Sequence, residues 1–268
     1  MKKAFLIMIS FLSLTMLNAE IVEVTNIKEI YDHITPQSLI LFDIDNTLLE
    51  LAQTLGGDQW FYHQWLNCQS QGLSAKETEG NIRPIWRAIQ SVSDVNLVEE
   101  DAADIVKDLR DRGYNTIALT TRMADMYKIT ERQLNKKGID FSEQKAPFDT
   151  EVLFDNTTNH VLFTSGILLT SNTNKGKALM KFVDIAGYAP KHVVFINDKR
   201  ANLRDIEVAC EENNIPFIGL RYGYLDEKVK NIRMDIADVQ LELFGKLISD
   251  DEAQAILQYR QNHHPDHL

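Results

Sequence analysis

The stretch Leu39-Ile40-Leu41-Phe42-Asp43-Ile44-Asp45-Asn46-Thr47-Leu48-Leu49 decides the fold. Its first four residues are a short apolar run bounded by polar residues, which is typical of a buried strand in a parallel sheet. The run ends in two acids one residue apart, Asp43 and Asp45, which Thr47 follows. Because the chain curls just beyond the end of a strand, the two carboxylates can face one point from different directions. This arrangement suits a nucleophile and a proton donor acting on one substrate, or a cation site.

The rest of the chain predicts an α/β protein in which strands and helices alternate. Apolar runs at 116–119, 192–196 and 216–220 predict three more buried strands, and segments with helical spacing separate them. This order implies right-handed crossovers and a parallel sheet. Residues 149–167 depart from the order, since two short apolar runs around a polar turn predict a β-hairpin insertion. Residues 20–36 contain a predicted amphipathic helix before the first strand.

The acidic stretch resembles the first motif of the haloacid dehalogenase (HAD) superfamily, in which Asp-x-Asp-x-Thr follows an apolar strand. Most members of that superfamily are magnesium-dependent phosphotransferases. The resemblance covers the core from about Leu39 to Leu220 and implies a Rossmann-like parallel sheet flanked by helices. It also implies three further motifs at later strand ends, for which the chain offers Thr120 in Thr120-Thr121-Arg122, Lys175 with Lys177 as its rival, and Asp198.

The resemblance implies a Mg²⁺-dependent phosphomonoesterase that acts on a small phosphorylated metabolite. It also implies a role for each residue of the motifs. Asp43 would attack phosphorus, Lys175 would neutralise charge, and Thr120 would hold phosphate oxygens. Asp45 would act as acid and then as base, which requires a raised pKa because an unperturbed aspartate titrates near ~3.9. The implied Mg²⁺ ligands are Asp43, Asp45 through its backbone carbonyl, Asp198 and Asn202. Candidate substrate contacts are Thr47, Thr121, Arg122, Trp60 and His63.

The predicted metal motif departs from the superfamily. Paired acids are usual there, whereas this chain has Asn197-Asp198 and Asp198-x-x-x-Asn202. Asparagine still offers an oxygen, but it brings less negative charge to a bound Mg²⁺. Two alternatives to a hydrolase therefore stay open, a non-catalytic binding protein that keeps the fold and a phosphotransferase whose acceptor is not water. The second acid, Asp45, argues against a dehalogenase, which needs no proton donor at that position.

The segment 51–96 is rich in tryptophan and predicts a small helical cap inserted after the first strand. Asp58 can cap one helix, and Ser74 with Glu77 resembles a capping box for another. The predicted domains are a signal peptide at 1–19, a core at 20–50 and 97–268, and the cap at 51–96. The Trp60 and His63 side chains either face the substrate or form the cap's own core, and Arg122 either contacts phosphate or pairs with an acid.

The N-terminus resembles a secretory signal peptide. Lys2 and Lys3 precede an apolar run from Ala4 to Leu17, which is too short for a comfortable transmembrane helix, and Ala19 offers a small residue at the cut. We therefore expect a bacterial periplasmic or secreted protein without stable membrane insertion after cleavage, with an uncleaved anchor as the alternative. Losing Lys2 and Lys3 takes the net charge from −11 to −13. Such a surface argues against non-specific binding of nucleic acid or anionic lipid.

Two cysteines occur, Cys68 and Cys210, and export would place them where a disulfide can form. Their surroundings differ, and Cys210 lies in a predicted amphipathic helix, so we expect it to be a buried free thiol rather than half of a bridge. The histidines near the C-terminus lie in a polar tail, which predicts a disordered end rather than a metal site. They are His263, His264 and His267.

Overall fold

The computed structural model describes residues 19–143, 146–156, 159–243 and 248–263. The predicted signal peptide up to Asn18 lies outside these residues, as do His264, His267 and the side chain of His263. The strands are β1 (Ala19–Val24), β2 (Ser38–Phe42), β3 (Leu49–Leu51), β4 (Val95–Leu97), β5 (Asn115–Thr120), β6 (Val152–Asn156), β7 (Asn159–Thr164), β8 (Ile167–Leu169), β9 (His192–Asn197) and β10 (Phe217–Tyr222). The helices are α1 (Asp58–Ser70), α2 (Ala75–Val92), α3 (Ala102–Asp111), α4 (Tyr127–Lys136), α5 (Lys175–Ile185), α6 (Arg200–Glu212), α7 (Asp226–Lys230), α8 (Met234–Glu242) and α9 (Asp250–His263), with short 3₁₀ segments at Ile27–Asp32 and Ala124–Met126.

The main sheet has the strand order β1-β10-β9-β2-β5-β8-β7-β6. In this order, every neighbouring pair from β1 up to the pair of β5 and β8 is parallel. The last two pairs, β8 with β7 and β7 with β6, are antiparallel. The predicted α/β class with a parallel sheet is thus confirmed. The predicted hairpin is β6 and β7, but it does not stand apart, because β8 joins it to the edge of the parallel sheet.

Strand β2 lies in the middle of this order and is buried throughout. Side chains alternate across a strand, so Ile40 and Phe42 contribute to one apolar cluster, which includes residues of α3. Leu39 and Leu41 contribute to a second cluster on the other face, which includes residues of α5 and α6. Fully burying such a side chain stabilises the fold by roughly 1.5–3 kcal/mol. Helices on both faces therefore fix the strand whose end carries Asp43.

The N-terminal segment differs from the prediction in part. A short helix does bury Ile27 and Ile30, but it is of the 3₁₀ type and Asn26 caps it. Before it, Ala19–Val24 forms strand β1, which the sequence did not predict. This strand pairs in parallel with β10 and covers an edge that would otherwise leave its backbone groups unpaired.

Helices α1 and α2 lie between β3 and β4, two short strands that pair with each other in an antiparallel ladder. The two helices share an apolar cluster that includes Trp60, Ile82 and Ile89, and α8 adds Ala237 to it. The division into core and cap stays a prediction, and in this structure the C-terminal helices also reach the helix pair.

The two cysteines are free, as expected, and Cys210 is buried. Burial raises the pKa of the Cys210 thiol to about 12. In the described part of the chain, no helix combines the length and the apolar composition needed to cross a membrane.

Candidate active site

The candidate site lies where three neighbouring strands end. Strands β9, β2 and β5 are adjacent and parallel, so their carboxyl ends meet at one edge of the sheet. Asp43 follows β2, Thr120 ends β5 and Asp198 follows β9. The sequence assigned these residues to separate motifs, and the sheet brings them to one edge.

Asp43 is paired with Lys175, the first residue of α5. The Lys175 Nζ donates to Asp43 Oδ1 at 2.7 Å and to the backbone carbonyl of Leu119 at 3.0 Å. The two side chains are 1% and 8% exposed. Burial raises the pKa of Asp43, and the Lys175 ammonium opposes that rise. The rival Lys177 is exposed, so Lys175 is the lysine that the structure brings to the site.

Asp45 is held by Arg122 in a bidentate ion pair. The Arg122 Nη2 donates to Asp45 Oδ1 at 2.8 Å and its Nε donates to Asp45 Oδ2 at 2.9 Å. The third nitrogen, Nη1, donates to Gln133 Oε1 at 2.7 Å and to Thr130 Oγ1 at 3.2 Å. Arg122 was predicted as a substrate contact; its guanidinium is instead engaged with Asp45, Gln133 and Thr130.

This pairing overturns one expectation for Asp45. Burial alone would raise the pKa of this carboxyl, but the Arg122 guanidinium together with the Lys199 and Lys175 ammonium groups holds the pKa below its usual range. The expectation that Asp45 has a raised pKa, which an acid role requires, is therefore wrong for this structure. Asp45 lies here as a carboxylate, the form that accepts a proton.

Asp198 faces Asp43 and has a spare oxygen. Burial and then the Asp43 carboxylate raise the pKa of Asp198 to about 7. Its Oδ1 is buried and finds no hydrogen-bond donor among the described residues, whereas Oδ2 receives only a long contact of 3.4 Å from Asn46. A buried carboxylate and a half-buried one that influence each other's charge, with one unused oxygen, fit a divalent cation, which binds oxygen ligands.

The other predicted metal ligand is Asn202, whose side chain makes a long hydrogen bond to a neighbouring asparagine. Its amide nitrogen donates to Asn197 Oδ1 at 3.4 Å, and the same oxygen accepts the Lys199 backbone N–H at 2.7 Å. No group of three or more His, Cys, Asp or Glu side chains with metal-binding geometry occurs in the described ranges. A cation here would therefore rely on Asp43 and Asp198, and Asn202 stays a predicted ligand.

Thr47 was predicted as a substrate contact, which stays a prediction, and the structure adds a second contact for its hydroxyl. Its side chain is fully buried, and its Oγ1 accepts the backbone N–H of Asp198 at 3.2 Å. Thr47 thus ties the chain after β2 to the end of β9. Its role is to position Asp198 relative to Asp43.

A loop after β8 fixes the predicted phosphate-binding segment. The backbone N–H groups of Thr170, Ser171 and Asn172 donate to the carbonyls of Thr120, Arg122 and Thr121 at 2.9, 3.0 and 2.9 Å. Ser171 and Asn172 have φ of +52° and +58°, a left-handed conformation that is uncommon for residues other than glycine. The Thr120 hydroxyl accepts the Arg122 N–H at 3.1 Å, so its own proton can be donated to a ligand.

A pocket of about 180 Å³ lies beside Asp45, between the sheet edge and helices α1 and α2. Neither Trp60 nor His63 is among the described residues that line it. Trp60 is 2% exposed and packs inside the helix pair, so its predicted substrate contact is wrong. The lining residues are Asp45, Asp58, Phe61, Tyr62, Arg83, Trp86, Thr121, Arg122, Asn172 and Lys199.

The sequence missed several of these residues for physical reasons. Phe61 and Tyr62 directly follow Trp60, but each step along a helix turns the side chain by about 100° and so to another face. Lys199 follows Asp198 directly and donates to Asp58 of α1 at 2.7 Å, a contact between distant parts of the chain. Only the position of Lys199 beside Asp198 was a usable signal.

The fold and the site define an α/β protein with a buried acidic centre at the carboxyl edge of a parallel sheet. The chain belongs to the DUF2608 family, described as a protein of unknown function, whose model matches residues 23–254. A relative in Chlamydia trachomatis serovar D, named "Putative outer membrane protein", is 27% identical over 221 residues, which are 82% of each chain. An uncharacterised protein of Rickettsia prowazekii is 22% identical over 248 residues, covering 88% of this chain and 89% of the relative.

Solved structures with a similar fold include two HAD proteins. A HAD-family enzyme of Bacteroides thetaiotaomicron, solved as a magnesium complex, has 14% identity and a TM-score of 0.40, with 74% of this chain and 100% of that chain covered. A haloacid dehalogenase-like hydrolase of Streptococcus pneumoniae has 13% identity and a TM-score of 0.37, with 69% and 95% covered.

Proposed function

We propose that the chain is a Mg²⁺-dependent phosphomonoester hydrolase of the HAD type that acts through an aspartyl-phosphate on Asp43. The observation that carries this proposal is the buried contact of 2.7 Å between Lys175 Nζ and Asp43 Oδ1 beside a second carboxylate, Asp198, which is half-buried and has one buried oxygen without a donor among the described residues. A carboxylate attacks a phosphate only when nearby cations screen their mutual repulsion. Lys175 supplies one such positive charge. The unused oxygen of Asp198 offers a ligand for a metal cation, which would supply a second positive charge.

In the first half of the proposed reaction, an Asp43 oxygen forms a bond to phosphorus while the bond to the leaving oxygen breaks. Mg²⁺ held by Asp43, Asp198 and the backbone carbonyl of Asp45 would supply Lewis-acid charge neutralisation of the phosphoryl group. Lys175 keeps Asp43 in place, and the Thr120 hydroxyl donates to a phosphate oxygen. Asp45 takes up a proton from solvent when its pair with Arg122 loosens, and it delivers that proton to the leaving oxygen.

In the second half, water attacks the phosphorus of the aspartyl-phosphate and Asp45 takes a proton from that water. The bond between phosphorus and Asp43 breaks, which releases phosphate and restores the Asp43 carboxylate. Asp45 already lies as a carboxylate beside Arg122, so it is prepared for this step. The pair with Arg122 has to loosen when Asp45 serves as the acid of the first half.

The alternative of a non-catalytic binding protein also has an observation behind it. Arg122 occupies both oxygens of Asp45, and an asparagine, Asn202, stands where the superfamily usually has a second acid. In that case the site would bind a phosphorylated ligand without turnover. Transfer of phosphate to an acceptor other than water is the third reading, and only product analysis separates it from hydrolysis.

The test is phosphate release by the purified protein from a panel of small phosphomonoesters, with Mg²⁺ or with a chelator. We expect turnover that needs the metal and that Asp43→Asn abolishes. An exposed acid on α5, changed as Asp184→Asn, is the matched control and should leave turnover unchanged. Ligand binding without phosphate release, in wild type and Asp43→Asn alike, would instead establish the binding-protein alternative.

We further propose that the protein is exported to the periplasm or beyond and acts on small molecules rather than nucleic acid. The signal-like segment at 1–19 and the net charge of −11 support this. The outer-membrane name of the Chlamydia relative agrees with export. Cell fractionation with an antibody to the protein tests it, and recovery from the cytoplasm at full length would contradict it.

A further inference from the structure

We propose that the substrate's leaving group is a single uncharged aromatic ring, which binds against Phe61, Tyr62 and Trp86. We call these three residues the aromatic wall. This inference rests on the proposed phosphomonoesterase and names its substrate class. All three side chains come from α1 and α2, and all three line the pocket beside Asp45.

The position of the pocket assigns it to the leaving group. On the side of the sheet, Asp45, Thr121 and Arg122 line it, whereas Asp43 is not among the described residues that line it. In the proposed reaction Asp45 exchanges a proton with the leaving oxygen, and Asp43 attacks from the opposite side of phosphorus. The part of the substrate that extends past Asp45 is therefore the leaving group.

The chemistry of the wall favours a ring. Phe61 and Trp86 lie edge to face, with ring centroids 5.6 Å apart and an interplanar angle of 68°. The Trp86 indole N–H already donates to the Gly56 carbonyl at 2.8 Å, so the indole ring remains as the contact surface. Tyr62 lies next to them with 63% of the residue exposed, although it is a large aromatic side chain. Aromatic rings contact one another favourably at such edges and faces.

The charges at the pocket are largely paired with each other. Arg122 pairs with Asp45, Lys199 pairs with Asp58, and Arg83 pairs with Glu79 on its own helix. A charged leaving group would have to break one of these pairs to gain a partner. An uncharged ring needs no such partner, so it can bind while all three pairs are in place.

The size of the pocket limits the leaving group to one ring. Pockets for drug-sized ligands have volumes of roughly 300–1,000 Å³. The volume of about 180 Å³ lies below that range, and it excludes a nucleoside or an oligosaccharide from being fully enclosed. A phenyl or similar six-membered ring fits this limit.

The experiment measures binding without relying on turnover. All three tryptophans of the chain, Trp60, Trp65 and Trp86, lie in α1 and α2, so intrinsic fluorescence reports on this part of the molecule. Phenylphosphonate and methylphosphonate share the anion and cannot be hydrolysed at phosphorus. We expect phenylphosphonate to bind the wild-type protein about tenfold more tightly, as expected for one ring against an aromatic wall.

Variants separate the wall from the anion site. Tyr62→Ala and Phe61→Leu should weaken phenylphosphonate binding several-fold and leave methylphosphonate binding unchanged. The matched control is Leu66→Ala, one turn further along α1, which is 48% exposed and outside the pocket lining. Thermal melts identify any variant that fails to fold, and Tyr62→Ala is the safer variant because Tyr62 is the most exposed member of the wall.

The outcomes distinguish this inference from the proposed function. Equal binding of the two phosphonates would overturn the aromatic leaving group, whether or not the protein hydrolyses phosphate esters. Tighter, wall-dependent binding of phenylphosphonate without phosphate release from phenyl phosphate would keep the ring site and overturn the hydrolase. Faster turnover of phenyl phosphate than of glycerol 2-phosphate, lost in Tyr62→Ala, would support both.

Discussion

At the level of single residues, the candidate site consists of buried charges that neutralise one another. Lys175 and Arg122 are each only 1% exposed in their side chains, and each lies against one acid of the first motif. A buried charge is costly without a partner, so removing one member of such a pair destabilises the fold more than exchanging both. Stability and chemistry are thus linked at Asp43 and Asp45.

The Arg122–Asp45 pair gives the first prediction. Arg122→Met should lower the free energy of unfolding by about 3 kcal/mol, because Asp45 and Gln133 lose their partner in a largely buried site. Adding Asp45→Asn should recover part of the loss, with a coupling energy of about 1–3 kcal/mol. Urea denaturation of the wild type, both single variants and the double variant measures this cycle.

A surface pair provides the control for that cycle. Arg233 binds Asp235 in the same bidentate manner, but the side chains are 45% and 46% exposed. Arg233→Met should therefore change the urea midpoint very little, since exposed ion pairs contribute little to stability. If the two arginine variants lost equal stability, burial would not be the reason for the effect at Arg122.

His192 gives a prediction about pH. It begins β9, it is 9% exposed, and its Nδ1 lies 2.7 Å from Ser38 Oγ. Burial lowers the pKa of His192, while a histidine in the unfolded chain titrates near ~6.5. As pH falls below that value, the unfolded chain takes up a proton that the folded chain takes up only at lower pH. Stability is therefore full above about pH 6.5 and decreases as pH falls through the lowered pKa.

The measurement is the free energy of unfolding between pH 7 and 5. His192→Gln should flatten the decline over this range, because it removes the titrating group. Ser38→Ala is the control, since it removes the hydrogen bond but keeps the histidine, and it should lower stability while the decline persists. A decline of the same steepness in His192→Gln would mean that other groups cause it.

The sequence predicted the acids of the site better than their partners. Asp43 directly follows an apolar run and Asp198 follows another after one residue, so both could be named from a local pattern. The choice between Lys175 and Lys177 could not be made, because it depends on where α5 begins and which face meets Asp43. The contact between Arg122 and Asp45 joins two separate strand ends, and no local pattern encodes it.

Among the elements, the contact between α5 and α6 sets the position of Lys175. A Cβ atom on Gly176 would lie 2.0 Å from the Asp205 carbonyl oxygen and 2.8 Å from Ala209 Cβ. Gly176→Ala must therefore push the helices apart, which should cost about 1–3 kcal/mol and move Lys175 away from Asp43. Thermal denaturation measures the loss of stability.

Gly80 is the matched control, because it lies inside α2 and a Cβ there would meet no atom within 4 Å. Gly80→Ala should raise stability by up to about 1 kcal/mol, since alanine favours the helix over glycine. Opposite signs for the two glycine variants are the expected result. A stabilising Gly176→Ala would show that α5 and α6 do not meet as closely as described.

The C-terminal helices hold the loop that leads into α1. The Asp250 carboxylate accepts the Thr54 backbone N–H and hydroxyl, both at 3.0 Å, and Gln240 Oε1 accepts the Leu55 N–H at 2.8 Å. Asp250→Ala should free the Thr54 amide and raise its hydrogen-exchange rate at least ~10-fold, as expected for losing bonds of about 1.5–3 kcal/mol. The control is the exposed neighbour, Asp251→Ala, which should leave that rate unchanged.

Elements defined by local pattern were predicted, and elements defined by distant pairing were not. Strands β2 and β9 are continuous apolar runs, and both were expected. Strand β1 was missed because it is a strand only by virtue of pairing with β10. The hairpin of β6 and β7 was recognised, but its place in the main sheet depends on β8, a strand of three residues.

On the scale of the whole molecule, helices α1 and α2 are held over the sheet edge by polar contacts with several other parts of the chain. Lys199 pairs with Asp58, Arg87 pairs with Asp125, and the Gln133 amide donates to Gln90 at 3.1 Å. Gln133 Oε1 also accepts a hydrogen bond from Arg122 Nη1, so the hydrogen-bond network of the helix pair continues into the candidate site. Opening the pocket would require breaking these contacts together.

The last prediction concerns Mg²⁺ and the stability of the whole fold. A ligand that binds only the folded chain stabilises it, by about 2.7 kcal/mol at a concentration 100 times its Kd. For a chain of this length that amounts to a rise in Tm of roughly 5–10 °C. Asp43 and Asp198 repel each other in the absence of a cation, so bound Mg²⁺ also removes an unfavourable contact.

Differential scanning calorimetry with and without Mg²⁺ measures this rise. Asp198→Asn should abolish it, because the variant loses the buried oxygen charge that a cation would neutralise, and its Tm without metal should equal or exceed that of the wild type. Asp184→Asn, on the exposed face of α5, should keep the full rise. A wild-type Tm that Mg²⁺ does not change, with calorimetry detecting no Mg²⁺ binding, would remove the metal from the site and favour the non-catalytic alternative.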